Sequence, residues 1–361
     1  MTDMLRGRLQ KLRASLAEWG VDAILVGSAA NRRWLTGFTG SAGWVLVSQD
    51  EAILATDFRY WEQAQLEAPE FAIFRLQRTP GELEDFIGDH ARPIMGIEGK
   101  HLSLDEFRRF RKIEQVDIRW KPISDQLEAL RDVKSAEEIF VIRQAAAITD
   151  LAMSQVNQIA RPGMTEKELA WRLERTMREA GADELAFPII VATGRNAAKP
   201  HHHPTDQALK EGDSIVVDMG AAVGGYRSDL TRTFYLGAEP DEKFLTIYNL
   251  VWQAQQNAID NTRLGLSGAD VDSLARDVIS AAGYGAAFGH GLGHGVGLEI
   301  HENLRLSQQN KERLPAGAVF SIEPGIYLPD WGGVRIEDLV LLDDNGLTLL
   351  SQCPKTPAIS F

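Results

Sequence analysis

The chain has one cysteine, Cys353, so no internal disulfide can form; the thiol lies beside a proline, with no histidine near it in sequence to make it a nucleophile. No stretch approaches the roughly 18 uncharged apolar residues that a membrane-spanning helix needs. Basic residues are in deficit. The 38 Lys and Arg against 51 Asp and Glu leave a formal net charge of -13, and no basic cluster is long enough to offset repulsion from nucleic acid or anionic lipid. The opening MTDMLRGRLQKLRASLAEWG carries charges throughout and lacks an apolar segment with a small-residue cleavage site, so it reads as an amphipathic helix rather than a secretory signal. A G-x-S-x-G elbow and a P-loop are also missing. These absences argue against nucleic-acid binding, membrane insertion and covalent nucleophilic catalysis. The expectation is a soluble protein in a reducing, cytoplasmic setting.

At 361 residues, 44% of them apolar and 25% charged, the chain can bury two cores without disulfide or metal staples. Leu5, Leu9, Leu12 and Leu16 recur at helical spacing before Gly20. The strand-like VDAILVG follows, then a hairpin flanking Ser48 to Glu51, a helix over Tyr60 to Glu67, the strand FAIFRL, a helix around Leu83 to Ile87 and the strand PIMGIE. This alternation predicts an α/β domain over 1–125, with 126–135 as linker. Ser135 with Glu138, and Thr165 with Glu168, have capping-box spacing at helix starts. Two helices followed by strands, then two more followed by strands, predict an α+β domain over 136–361 and hint at an internal duplication.

The strongest signal is a set of acids inside runs that otherwise read as buried strands: Asp218 in SIVVDMG, Asp229 in YRSDLTRTF, Glu323 in AVFSIEPGIY and Glu337 in GGVRIEDLVLL. In the last, Arg335 and Glu337 share one strand face and Ile336 and Asp338 the other. A buried carboxylate needs a cation or a metal. Any one of these acids is equally well explained by a salt bridge to Arg227, Arg232 or Arg335. The four together with the histidines are not. HGLGHGVGLEIHE holds His290, His294 and His301 among glycines, and PHHHPTD holds His201, His202 and His203. His290 alone reads as a core histidine, and of three in a row one is expected to point inward. Four carboxylates and one imidazole are mostly hard oxygen ligands suited to Mn²⁺, with Co²⁺ or Zn²⁺ as alternatives. They exceed a closed tetrahedral zinc and fit a pair of ions roughly 3.5 Å apart.

Asp218, Asp229, His294, Glu323 and Glu337, in this order and in these contexts, resemble the pita-bread metallopeptidase family, which includes methionine aminopeptidases, Xaa-Pro aminopeptidases, prolidases and the metal-free creatinases. The N-terminal NRRWLTGFTGSAG and TDFRYWEQA resemble the creatinase/prolidase-type domain of bacterial Xaa-Pro peptidases, which methionine aminopeptidases lack. The resemblance implies a pita-bread catalytic domain preceded by a smaller α/β domain, acting on proline-containing peptides as a homodimer. It implies that Asp229, His294, Glu323 and Glu337 hold one ion, that Asp218, Asp229 and Glu337 hold the other, and that Glu323 acts as general base. By the same resemblance His301 and His201 contact the substrate, His290 lies near the pocket, and Arg335 orients the ligands beside it. Phe187 is the candidate wall for the proline ring. One departure is Lys199, where an apolar residue is common in relatives. Aminopeptidase action is expected over strict dipeptidase action. A non-catalytic peptide-binding module and a creatinase-like amidinohydrolase are the competing readings, and the complete ligand set speaks against both.

Overall fold

The computed structural model describes residues 2–114 and 117–359; positions 1, 360 and 361, at the outer ends of the expected domains, lie outside the described residues. The chain divides into two compact units, Met1–Arg131 and Asp132–Phe361.

In the first unit, helix Thr2–Leu16 buries Leu5, Leu9, Leu12 and Leu16, the stripe its spacing predicts. Six strands form one mixed sheet in the order Ala72–Leu76, Ala52–Asp57, Trp44–Ser48, Ala23–Val26, Ile94–Glu98, Arg119–Ile123. The expected hairpin is the antiparallel pair Trp44–Ser48 and Ala52–Asp57, and the crossovers are parallel. Pro122 sits in the edge strand, where its missing N–H breaks no ladder. Two short helices were not expected: Ala29–Thr36, whose N-cap Ser28 accepts from the Asn31 amide, and Leu104–Phe110, with a Ser103/Glu106 capping box. At 8 and 7 residues they are too short to show a helical period. The stretch expected as linker is not irregular: it contains helix Gln126–Asp132. A further helix follows, capped by Ser135 and Glu138.

The second unit repeats one arrangement twice. Helices Ala136–Ser154 and Glu166–Glu179 pack through Met153, Leu169, Leu173 and Met177 on Val191, Ile215, Val217 and Phe234. These last four belong to antiparallel strands Ile190–Thr193, Ser214–Met219 and Leu230–Leu236. Helices Glu242–Asn261 and Gly268–Ala281 pack through Val251, Val271, Ala275 and Ile279 on Phe320, Ile322 and Val340. The strands here are Ala318–Ile322, Asp338–Asp343 and Gly346–Leu349. Segregated helices over antiparallel strands make this unit α+β. The Glu337 amide donates to Thr231 O at 3.1 Å and ties the two halves together.

Candidate metal centre

Strand Ser214–Met219 is buried throughout, and period two decides which way each side chain faces. Ile215, Val217 and Met219 enter the helix-backed core, so Asp218 points the other way. Across the ladder its neighbours are Thr231 and Ile190. Asp229 directly precedes Leu230–Leu236. A Cβ at Gly220 would lie 1.9 Å from Ser228 O, so only glycine lets the two strand ends approach closely enough to set Asp229 beside Asp218. Glycine does the same for His294, because a Cβ at Gly293 would meet Ser321 O at 1.9 Å. Glu323 follows the end of Ala318–Ile322. Glu337 occupies the junction between Gly332–Arg335 and Asp338–Asp343.

The side chains converge. Asp218, Asp229 and Glu337 each present an oxygen within 4.8 Å of the others. His294 Nε2 lies 3.3 Å from Glu323 Oε1 and 3.6 Å from Asp229 Oδ2. Its Nδ1 faces Gly295 O at 3.2 Å. A carbonyl only accepts, so Nδ1 carries a proton in this contact, and Nε2, turned toward the carboxylates, is the nitrogen a metal ion would take in place of a proton. Ser321 Oγ donates to Glu323 Oε1 at 3.0 Å and accepts from the His294 amide at 3.1 Å, fixing both groups.

Behind the acids stands Arg335, which is almost fully buried. Its Nη2 donates to Asp218 Oδ2 at 2.6 Å, Nη1 to Tyr327 OH at 2.9 Å and Nε to Thr231 Oγ1 at 3.2 Å. Thr231 Oγ1 donates onward to Glu337 Oε2 at 2.7 Å. His290 Nε2 meets the same Tyr327 hydroxyl at 2.9 Å. Of the salt bridges that could have explained the acids away, only this one to Asp218 forms. Arg232 pairs with Asp338, and Arg227 reaches Glu184 and backbone carbonyls.

One guanidinium does not neutralise four carboxylates. Burial, then the charges of Glu337, Asp218 and Glu323, push Asp229 well above the ordinary carboxylate range. Burial with Glu323 and Asp218 does the same to Glu337. Asp218 is raised by burial against the opposing pull of Arg335. Glu323 goes the other way, to about 2: burial alone would raise it, but His294, His290 and Arg335 together outweigh that. Burial and the neighbouring His294 and Arg305 lower His301 to about 4. Asp218 Oδ1 and Glu337 Oε1 are buried with no hydrogen-bond donor among the described residues. Orphaned carboxylate oxygens with an imidazole nitrogen turned toward them fit a divalent cation.

A second cluster, Glu98, His101 and Glu128 in the first unit, gives the contrast. There Glu98 already accepts from the Gly27 and Ser28 amides, Ser28 Oγ and Asn31 Nδ2 at 2.6 to 2.8 Å, so it has no oxygen left wanting a cation.

The metal-ligand and substrate-contact candidates read from the sequence line one cavity of about 450 Å³: Asp218, Asp229, His294, Glu323 and Glu337 with His201, His290, His301, Arg335 and Phe187. His202 and His203 line it too, as do Arg305, Ile190, Ile300 and Leu306, which the sequence reading did not name. Tyr327, Thr231 and Ser321 were also missed. Thr231 is marked only by its pairing across the ladder with Asp218, and Arg305 lies beyond an irregular loop, where no period applies.

A helix-backed α+β fold with four carboxylates and an imidazole around one cavity is the architecture of a pita-bread metal-dependent hydrolase. The chain belongs to metallopeptidase family M24, whose model matches residues 141–344, and residues 8–133 match the Creatinase/Prolidase N-terminal domain. It is 36% identical to the Xaa-Pro dipeptidase of Pyrococcus furiosus over 349 residues, 96% of this chain and 98% of that one. Among solved structures it is similar to an Xaa-Pro dipeptidase from Bacillus anthracis, at 37% identity and TM-score 0.95, covering 99% of this chain and 100% of that one. An X-Pro aminopeptidase from Thermotoga maritima is similar at 36% identity and TM-score 0.88, covering 98% and 100%. Among the described residues no helix is long and apolar enough to cross a membrane.

Proposed function

We propose that the chain is a two-metal peptidase, preferring Mn²⁺, that hydrolyses the bond between an N-terminal residue and a following proline. The convergence of Asp218, Asp229, His294, Glu323 and Glu337 on one cavity, with buried oxygens lacking donors, carries the reading. Asp229, His294, Glu323 and Glu337 would hold one ion and Asp218, Asp229 and Glu337 the other. When bound, the ions polarise the scissile carbonyl and lower the pKa of water in the site.

The chain's own groups supply the rest. The Glu323 carboxylate accepts the proton of the attacking water and delivers it to the departing proline nitrogen. His301, neutral near pH 7, donates an N–H toward the oxygen on which negative charge develops, and His201 serves the neighbouring position. Arg335 is engaged by Asp218, Tyr327 and Thr231, so it holds Asp218 in orientation rather than touching the peptide. Phe187, Ile190, Ile300 and Leu306 offer apolar wall to a proline ring, which has no amide N–H to satisfy. The names of the three relatives above support proline-directed cleavage.

Aminopeptidase action rests on the N-terminal sequence resemblance. A specific observation favours the dipeptidase reading: Arg305 lines the cavity, and its Nη1 donates to the Glu302 and Leu304 carbonyls, so the guanidinium is held at the cavity wall, where it could meet the free carboxylate of an Xaa-Pro dipeptide. Rates on Xaa-Pro, Xaa-Pro-Yaa and Xaa-Ala-Yaa with Mn²⁺, before and after chelation, test both. A pocket that discriminates by about 1–3 kcal/mol should favour proline by tens to hundreds of fold. Equal rates on the last two substrates, or hydrolysis that survives chelation, would refute the proposal.

A further inference from the structure

The histidine triplet of PHHHPTD is only partly used by this reading, which takes His201 and leaves its neighbours. His202 is buried, whereas His201 and His203 are exposed, and all three line the cavity. The buried ring is held by Glu166, the first residue of helix Glu166–Glu179, which has no exposed surface at all. His202 Nε2 lies 2.8 Å from Glu166 Oε2. A carboxylate only accepts, so Nε2 carries the proton in this contact.

Glu166 does more than hold one ring. Its Oε1 accepts from the Thr193 amide at 2.9 Å and from Asn196 Nδ2 at 3.0 Å. Its Oε2 also accepts from the Thr205 amide at 2.9 Å and from Thr205 Oγ1 at 2.7 Å. These donors come from both ends of the segment 193–205 that carries His201 across the mouth of the metal centre. Within that segment Pro200 O, next to His201, accepts from Arg335 Nη1 at 3.4 Å. Burial alone would raise the Glu166 carboxyl, but the hydrogen bonds from His202, Thr193, Thr205 and Asn196 outweigh it and keep the group ionised. A fully desolvated carboxylate surrounded by donors from one loop has no solvent-facing role, and it is not within reach of substrate.

We infer that Glu166 and His202 are positioning residues: the pair pins the middle histidine inward, and through the chain fixes where His201 points over the metal centre. The inference rests on the Xaa-Pro peptidase reading for the role of His201. A buried pair that serves stability alone would have the same contacts, so the test must separate action through His201 from general loosening.

The experiment uses the full chain loaded with Mn²⁺ and an Xaa-Pro dipeptide, and compares His202→Leu, His202→Gln, His201→Ala and the double variant His202→Leu/His201→Ala. A misplaced reacting-site group costs rate steeply, so His202→Leu should lower kcat about tenfold at unchanged metal content. His202→Gln, which offers an N–H toward Glu166, should recover most of that loss. In the His201→Ala background, His202→Leu should change kcat by less than about twofold, because the group through which it acts is gone. A second tenfold loss in that background, or a fully active His202→Leu enzyme, overturns the inference. Should His202→Leu fail to fold, Glu166→Gln keeps the side-chain volume and goes through the same cycle.

Amide hydrogen exchange on the metal-free chain reads the anchor independently of activity. His202→Leu should speed exchange at Thr193 and Thr205 while leaving strand Ser214–Met219 protected; unchanged exchange at both threonines also overturns the inference. If the unaltered enzyme cleaves no Xaa-Pro substrate, the peptidase reading falls, and the exchange result still decides whether Glu166 and His202 anchor the segment.

Discussion

Stripping the metal ions should leave a folded chain whose stability falls as pH rises, the reverse of the usual behaviour of proteins stabilised by ionised carboxylates. Asp229 and Glu337 have folded-state pKa values well above the ordinary range, from burial first and then from the other acids of the centre. Between the unfolded pKa, near 4, and the folded one, the native state binds more protons than the unfolded chain. Stability is therefore fully present below the unfolded pKa and is lost as pH climbs, at about 1.4 kcal/mol per pH unit for each such carboxylate. Glu323, lowered from its ordinary 4.5 to about 2, acts with the opposite sign, and its contribution is lost only in acid, as pH falls through its folded value. His301, lowered from 6.5 to about 4, and His290, also lowered by burial, gain stability as pH rises toward the ordinary imidazole value, so the fall due to the acids is read above neutrality, where both rings and Glu323 no longer titrate. Ligands must be deprotonated to bind metal, so loading the centre displaces these protons. Calorimetric titration with Mn²⁺ in buffers of differing ionisation enthalpy should show net proton release, and affinity should rise with pH. Thermal melts of the chelated chain between about pH 7 and 8 should show Tm falling with pH, and melts of the loaded chain should not. A chelated chain whose Tm rises over that window, together with no proton release, would refute the account of the acids as a cluster awaiting cations.

Four substitutions divide the site by role. Glu323→Gln should keep the fold and lower kcat by about 10²- to 10⁴-fold in metal-loaded protein, and near-normal kcat at full loading would remove Glu323 from proton transfer. His294→Ala should lose metal, whereas His301→Ala should keep metal and lose rate; equal metal loss in both, measured by atomic absorption, would show that the roles across this seven-residue spacing are misassigned. Arg305→Met should lower kcat/KM on an Xaa-Pro dipeptide about tenfold or more, since a hydrogen bond to a charged group is worth roughly 1.5–3 kcal/mol, and should leave Xaa-Pro-Yaa nearly unchanged. A parallel fall on both substrates would argue against a carboxylate anchor.

What the sequence made legible was whatever violated its surroundings. Asp218 after Ile215, Val216 and Val217 stands out because an acid is costly there, and the structure turns it away from the core that Ile215 and Val217 enter. The capping boxes at Ser135 and Thr165 were legible because a side chain and an amide three residues on satisfy each other locally. Tyr327, Thr231 and Ser321 escaped notice because hydroxyl and aromatic residues are ordinary in strands. Only the cross-strand register shows Thr231 facing Asp218. The alternation at Arg335 to Asp338 held in direction but not in element. The chain leaves its pairing with Gly325–Leu328 after Arg335 and joins Ala318–Ile322 from Asp338, so Glu337 sits at a change of sheet that period two cannot reveal. Asp338, on the face opposite Glu337, is not apolar either: Arg232, Lys355 and Gln255 enclose it.

That change of sheet also explains why the centre sits where it does. Asp218 and Asp229 come from strands backed by the first helix pair, while Glu323 and Glu337 come from strands backed by the second. Each half alone would carry two acids that its own apolar core cannot neutralise. Docking the halves brings the acids within a few ångströms of one another, which raises the electrostatic cost. The apolar packing of both cores and the Thr231 link, which joins Glu337 to Arg335 across the seam, must offset that cost before any ion arrives. A cation bound at the seam then reverses the sign of the interaction: the acids that opposed docking become its strongest support, and stability gains RT ln(1 + [M]/Kd) for free ion at concentration [M]. The residues that make the site reactive are therefore the ones that oppose closure of the fold without metal and favour it with metal, so activity and stability should respond to chelation together.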